Sequence, residues 1–369
     1  MPNRYKPAAL PADQPSIPLI HSGLVPTALS AQQSQPERTT IAMLAIDGAL
    51  ASSMTAPLDA FRVANALYAR THPAQMNYVP FDLKIVSADN VSQVRTAGGL
   101  TLAGVVPAES CPIDVLIIPA LEYHTHAELV ATAYSHQSAL SLIRKLHDEN
   151  CQLAASCSGT FLLAASGILD HLEATTSWWL SARFRSEFPK VKLDPSQLLI
   201  ETGTVITAGA VTAMFSVVLK VIEQRMGTAL AQNTARILLI DPTRQSQAPF
   251  VSEALIQHPR SAFSEAIEQH LHGHLHTHVS VENLADKLNI SPRTLLRKFQ
   301  VIYQQSPHSY VQQLRVDRAK ALLETTKLSF AEVCESCGYQ DPASFRKLFK
   351  RIAGLTPAEY QSRFRLRGP

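Results

Sequence analysis

The sequence predicts an α/β domain with a largely parallel sheet, followed by an all-helical domain. Three observations predict it. From Thr39 to Ile240, short apolar runs alternate with amphipathic helical patterns. After Ala262 no strand-like run persists, and short helical patterns follow one another across tight turns. The 369 residues suffice for two domains, and 46% hydrophobic content supports a large core.

The elements follow in order. Residues 1–38 hold seven prolines with many Ser, Gln and Ala, and read as a flexible tail. Strands are expected at Thr40–Ile46, Phe81–Val86, Asp114–Pro119, Gln152–Ala155 and Val205–Thr207. Helices are expected between them at Pro57–Ala69, His136–Glu149, Ser158–Ser166, Trp178–Phe188 and Val211–Met226. These fill a first domain over 39–240. The Pro, Gln and Ser of 241–261 read as a linker, and 262–369 as the second domain. Its helices are expected at Ala262–His270, Val281–Leu288, Pro292–Gln300, His308–Leu323, Phe330–Cys337, Pro342–Ile352 and Pro357–Phe364.

Composition excludes several classes. The longest apolar runs are far too short to span a membrane. The proline-punctuated N-terminus lacks a secretory apolar core. Five scattered cysteines argue against a disulfide scaffold and fit a reducing cytoplasm. The net charge of +3 hides an asymmetry: residues from Ser261 onward carry 15 basic against 10 acidic side chains, the remainder 18 against 20. A polyanion partner would therefore meet the last third.

That last third contains two copies of one layout, Val281–Phe299 and Phe330–Phe349. In each, a short helix ends in a turn, and a second helix starts with an N-cap and a proline, Ser291-Pro292 and Asp341-Pro342. Asn289 and Gly338 suit the turns. In the second helix of the first copy, Leu295, Phe299 and Ile302 form a core stripe, which turns Arg293, Thr294, Leu296, Arg297 and Gln300 outward. In the second copy Phe345, Leu348, Phe349 and Ile352 are core, and Ala343, Arg346, Lys347 and Lys350 face outward. One such helix would read as a solvated face, whereas two in tandem point to major-groove recognition of double-stranded DNA.

Residues 262–366 resemble the AraC/XylS-type DNA-binding domain. The matching residues include Leu284-Ala285, Ser291–Leu295, Phe299, Tyr310, Arg315, Gly338-Tyr339, Ser344-Phe345 and the ending Gly354–Tyr360. The resemblance implies two helix-turn-helix units joined by a long helix at about 308–324, each reading one of two adjacent major-groove segments. No metal site is expected here. Cys334 and Cys337 form a lone pair that reads as core, and the alternating histidines His270–His278 read as a loop before the first unit.

The densest local signal of the first domain is Leu153–Gly167, where a strand meets a sharp turn at Cys157 and Ser158-Gly159 opens a helix. This is a nucleophile-elbow layout. With Pro57–Phe61, Val94–Leu102, Asp114–Ala120, Gly167–Asp170, Ala174–Thr176 and Thr207–Thr212, it resembles the PfpI-like branch of the class I glutamine amidotransferase-like superfamily over about 39–240. The resemblance implies a flavodoxin-like parallel sheet. Catalysis there needs a histidine beside the cysteine. Its usual position holds Ser177, followed by Trp178-Trp179, so Cys157 is read as a degenerate elbow and no catalytic residue or cofactor is expected.

The two-domain order resembles the GlxA-like group of AraC-type regulators. The resemblance implies a DNA-binding transcription regulator, more often an activator, which would engage RNA polymerase. Its first domain would dimerise and bind a small effector, an amino acid or quaternary amine. The cleft at the strand C-termini would be lined by Asp59, Cys157, Ser158, Ser177 and Trp178. Trp178 also fits plain helix packing. Two alternatives remain open: a redox-responsive regulator acting through Cys157, and a residual PfpI-like cysteine hydrolase.

Overall fold

A computed structural model describes residues 38–365 apart from 257, 259, 260 and 278. The tail expected over 1–38 lies outside the described residues except for Arg38, and so does His278. Strands β1 (Thr39–Leu44), β2 (Phe81–Ser87), β3 (Gln93–Arg95), β4 (Thr101–Ala103), β5 (Val106–Pro107) and β6 (Val115–Ile118) come first. They are followed by β7 (Gln152–Ser156), β8 (Glu173–Ala174), β9 (Lys192–Leu193), β10 (Leu199–Thr202) and β11 (Val205–Ala208). Seven of them form one sheet in the order β10-β11-β7-β6-β1-β2-β5. All its pairings are parallel except β10 with β11. The central strands are covered on both faces, which is why β1, β6 and β7 are buried along their whole length, with apolar residues predominating and the polar Thr39, Thr40, Gln152 and Ser156 at strand ends.

The helices of this half are α1 (Ala51–Thr71), α2 (His126–Ser135), α3 (Gln137–Asp148), α4 (Thr160–Ala165), α5 (Ser181–Glu187), α6 (Met214–Met226) and α7 (Thr228–Ile237). One face of the sheet packs Leu44, Leu116, Ile118 and Leu153 with Leu140, Phe161 and Phe184. The other packs Met43, Ile117 and Ile206 with Phe61, Val217 and Ile222. Helix α1 begins six residues before the expected Pro57, because burial of Ser53 and Met54 carries the chain into helix earlier than its proline signals. Helix α2 was not expected; a capping box of Thr125 and Glu128 starts it. The unexpected α7 follows Gly227, whose φ of 87° breaks α6 from it.

The second half contains α8 (Ala262–His274), α9 (Val281–Lys287), α10 (Pro292–Tyr303), α11 (Pro307–Thr325), α12 (Phe330–Ser336), α13 (Pro342–Ala353) and α14 (Pro357–Phe364). It has two cores. Phe263, Leu284, Leu295, Phe299 and Tyr310 build the first. Val316, Leu323, Phe345, Phe349 and Tyr360 build the second, where Cys334 and Cys337 are also buried. Helix α11 contributes Tyr310 and Val311 to one and Val316 and Ala319 to the other. The loop expected over the histidine run is corrected in part. Helix α8 continues to His274 because Leu271 is buried, and the His270 and His274 rings stack at 4.5 Å.

Two glycine replacements should separate packing from propensity. A Cβ at Gly159 would lie 2.5 Å from the Pro119 carbonyl oxygen and 3.0 Å from that of Ile118, both rigid backbone. Gly159→Ala should lower stability by about 1–3 kcal/mol, read as a fall in Tm. Gly273 lies in α8, and a Cβ added there would meet nothing within 4 Å. Gly273→Ala should therefore raise Tm, by roughly 0.5–1 kcal/mol of helix propensity.

Candidate functional site

Both helix-turn-helix units are built by local chemistry. In the first, Asn289 takes a φ of 51° after α9, and the Ser291 hydroxyl accepts the Thr294 N–H at 3.2 Å to cap α10. In the second, Gly338 turns the chain at φ 79°, and a Cβ there would lie 2.7 Å from the His276 carbonyl oxygen. Glycine is thus required twice over at this position. Asp341 caps α13, accepting the N–H groups of Ala343 at 3.0 Å and Ser344 at 3.1 Å. Bonds from the Ser344 hydroxyl and these N–H groups hold its carboxyl below the usual range.

The outer faces are as open as the helical spacing implies. Arg293, Arg297 and Gln300 are exposed, and Leu296 is 45% exposed. Ala343, Arg346, Lys347 and Lys350 are exposed on α13. Thr294 is half-buried, with its hydroxyl 2.9 Å from that of Ser291, so it serves the cap. Among the described residues, none of Arg293, Arg297, Arg346, Lys347 and Lys350 is in an ion pair. The Arg346 guanidinium rests 5.3 Å from the Phe330 ring centroid, which steadies it without neutralising it. Unneutralised cations beside two capped helix N-termini form a surface complementary to phosphate.

The elbow of the sheet half is sharply formed. Cys157 follows β7 with a φ of 56°, donating its N–H to the Gly209 carbonyl at 2.6 Å. Its own carbonyl accepts the hydroxyls of Thr160 at 2.7 Å and Thr176 at 3.0 Å. Ser158 is fully buried, its hydroxyl bridging the N–H and carbonyl of Leu121, each at 2.8 Å. Ser177 is also fully buried, and its hydroxyl donates to the Gly209 carbonyl at 3.4 Å. Burial raises the Cys157 thiol above its ordinary range despite the bonds from Ser177, Ser158 and Val211. Among the described residues no histidine hydrogen-bonds to it.

The structure thus gathers Cys157, Ser158 and Ser177. Trp178 follows directly and turns toward a cavity shared with the helical half. It meets the Trp179 ring edge-on at 5.3 Å, and the Trp179 indole donates to the Tyr123 hydroxyl at 3.0 Å. Asp59 does not join them. Its side chain is 69% exposed on α1 and pairs with Arg62, because its position falls on the solvent face of that helix.

Sequence reasoning missed Gln247. This linker residue is 1% exposed, and its side-chain N–H₂ reaches the carbonyls of Thr176 at 2.8 Å, Gln197 at 3.0 Å and Pro195 at 3.1 Å. A Cβ on Gly209 would overlap it. Nothing in a Gln- and Ser-rich stretch distinguishes this glutamine from its neighbours.

Residues 284–363 match the family model described as a helix-turn-helix domain. The HTH-type transcriptional regulator GbdR of Pseudomonas aeruginosa (strain UCBPP-PA14) is 26% identical over 212 residues, covering 56% of this chain and 57% of GbdR. The regulator CdhR of Pseudomonas aeruginosa is 26% identical over 231 residues, covering 62% of this chain and 68% of CdhR. The regulator GlxA of Rhizobium meliloti is 25% identical over 236 residues, covering 63% and 70%. The match therefore spans little more than half the length of GbdR. The fold and the capped helices define a parallel-sheet domain joined to a helical domain that contains two helix-turn-helix units. The chain is a homologue of the GlxA, GbdR and CdhR regulators.

The state of the elbow thiol is directly measurable. Iodoacetamide at pH 8 should leave Cys157 unmodified in the native protein and label it fully after unfolding, read by peptide mass spectrometry. Rapid native labelling would contradict the buried, raised thiol.

Proposed function

We propose that the protein is a sequence-specific DNA-binding transcription regulator of the activating kind, working as a cytoplasmic homodimer and contacting RNA polymerase from a promoter site. The observation that carries the reading is the pair of capped helices, each presenting basic side chains without an ion-pair partner among the described residues. Arg293, Leu296, Arg297 and Gln300 would read one major-groove segment. Ala343, Arg346, Lys347 and Lys350 would read the next. The names of the relatives, all transcriptional regulators, support the same reading.

The sheet half is proposed as a sensor and dimerisation module without catalysis. A thiol that is buried, raised and unaccompanied by a base weighs against hydrolysis and against ready oxidation. The effector is proposed to be a small metabolite of the amino-acid or quaternary-amine type; burial closes the expected lining of Cys157, Ser158 and Ser177, which leaves Trp178 as the wall that such a ligand would meet. To control transcription, it must bind the DNA-competent and incompetent arrangements with different affinity.

Selection of the full chain against a pool of random duplexes should enrich one sequence. Anisotropy on that sequence should show Arg293→Ala and Arg346→Ala each weakening binding by about 1–3 kcal/mol, with little change on a scrambled duplex. Equal losses on both duplexes would make these residues phosphate contacts, and no enrichment would defeat the reading.

A further inference from the structure

A cavity of about 420 Å³ lies where the sheet half, the connecting segment and the helical half meet. Trp178 and Arg185 line it from the sheet half, Glu253 and His258 from the connecting segment, and Tyr303 and Gln304 from the end of α10. Ile352 of α13 also reaches it, so both proposed recognition helices border this space. The volume falls within the range that holds a small metabolite.

Two polar groups in this wall keep hydrogen-bonding capacity that no described residue uses. Arg185 is half-buried, and among the described residues it is in no ion pair; its guanidinium donates only to the Leu193 carbonyl, at 3.4 Å. Asp194 is nearby, but its Oδ1 already accepts the N–H and hydroxyl of Ser196 at 2.9 and 2.6 Å. The His258 side chain is 6% exposed, and its Nε2 lies 2.7 Å from Glu253 Oε1. Its Nδ1 is buried and has no hydrogen-bond partner among the described residues. A half-desolvated guanidinium calls for an anion, and a carboxylate matches its fork. His258 Nδ1 is the second polar position open to a ligand, and a hydroxyl or amino group can pair with it.

We propose that this cavity is the effector site, and that its ligand is a small hydroxy- or amino-carboxylate bridging Arg185 and His258 against Trp178. The proposal rests on the regulator reading above and relocates its effector from the closed Cys157 pocket to the junction of the two halves. The ligand ties α5 to the connecting segment. That segment is fixed to the helical half, where the Glu253 N–H donates to Asp317 at 2.6 Å and Lys320 donates to the Val251 carbonyl at 2.7 Å. Occupancy thereby favours one placement of the recognition helices over others.

The test uses the full chain and its selected duplex. Thermal shift and calorimetry compare lactate, malate, alanine, arginine and glycine betaine with ethanol, ethylamine, agmatine and choline. At least one carboxylate should raise Tm and change affinity for the duplex, whereas its carboxylate-free counterpart does neither. Arg185→Leu and His258→Phe should each weaken that ligand about tenfold or more, and Arg185→Lys less. Arg185→Leu should keep its ligand-free Tm and its affinity for the duplex without ligand, whereas His258→Phe also strips the buried Glu253 of its partner, so its ligand affinity is read against its own ligand-free Tm. Cys157→Ala should leave the ligand affinity unchanged. A hit that survives Arg185→Leu but is lost in Cys157→Ala overturns the site and leaves the regulator reading standing. A panel without any carboxylate hit overturns the proposal. Loss of duplex binding by the wild-type chain counts against the regulator reading itself.

Discussion

The arrangement of the two halves depends on one buried amide. Gln247 is enclosed by the sheet half, where its nitrogen meets the carbonyls of Thr176, Gln197 and Pro195. These bonds offset the cost of burying the amide nitrogen and hold the side chain in place, although its Oε1 is left without a hydrogen-bond partner among the described residues. Gly209 leaves the necessary room, and its carbonyl holds the Cys157 N–H on the other side. The following residues run directly onto the helical half. Lys320 donates to the carbonyls of Ala248 at 3.3 Å and Val251 at 2.7 Å, and the Phe250 ring stacks edge-on against Phe364 at 5.0 Å. A segment that composition alone presents as a spacer is therefore pinned at both ends.

The helical half receives this segment on α11. Lys320 is 4% exposed and sits 3.5 Å from Asp317. Burial pulls the Lys320 ammonium below its ordinary range and pushes the Asp317 carboxyl up to about 6. Neither charge would be stable here without the other and without the main-chain groups of the connecting segment, since an unpaired buried ion is costly. Helix α11 also forms part of both cores, so the spacing of α10 and α13 is set by one rigid element. Two recognition helices mounted on one rod suit two adjacent groove segments, because their separation does not depend on loops.

Much of this was legible in the sequence, for identifiable reasons. The central strands of the sheet read as short runs dominated by apolar residues, because burial on both faces leaves few polar positions. The helix-turn-helix units were legible because Ser291-Pro292 and Asp341-Pro342 act locally, through caps that need no tertiary context. The same locality made Gly338 and Asn289 readable as turns. What escaped depends on long-range contact. β10 is an edge strand with no buried residue, and α1 starts early only because Met54 finds a core. Asp59 was misplaced because a resemblance supplies the order of residues along a helix but not the face that each one takes. Gln247, Arg185 and His258 carry no sequence signal, since their meaning lies in the partners that the fold brings or withholds.

The Cys157 elbow retains its strain without the group that would justify it in an enzyme. A non-glycine residue at positive φ costs of the order of 1–3 kcal/mol and persists only where its surroundings hold it there. Here the Gly209 carbonyl and the Thr160 and Thr176 hydroxyls do so. Thr176 in turn offers its carbonyl to Gln247, so the elbow is continuous by hydrogen bonds with the connecting segment and, through Lys320, with α11. Such continuity is a route for mechanical constraint, but it becomes regulation only when a ligand distinguishes two arrangements. The elbow pocket is packed shut and provides no differential contact. On the proposal above, the cavity beside Trp178 supplies that contact, because residues of both halves line it. In that reading the elbow serves as an anchor, and ligand recognition falls to the joint that the anchor holds.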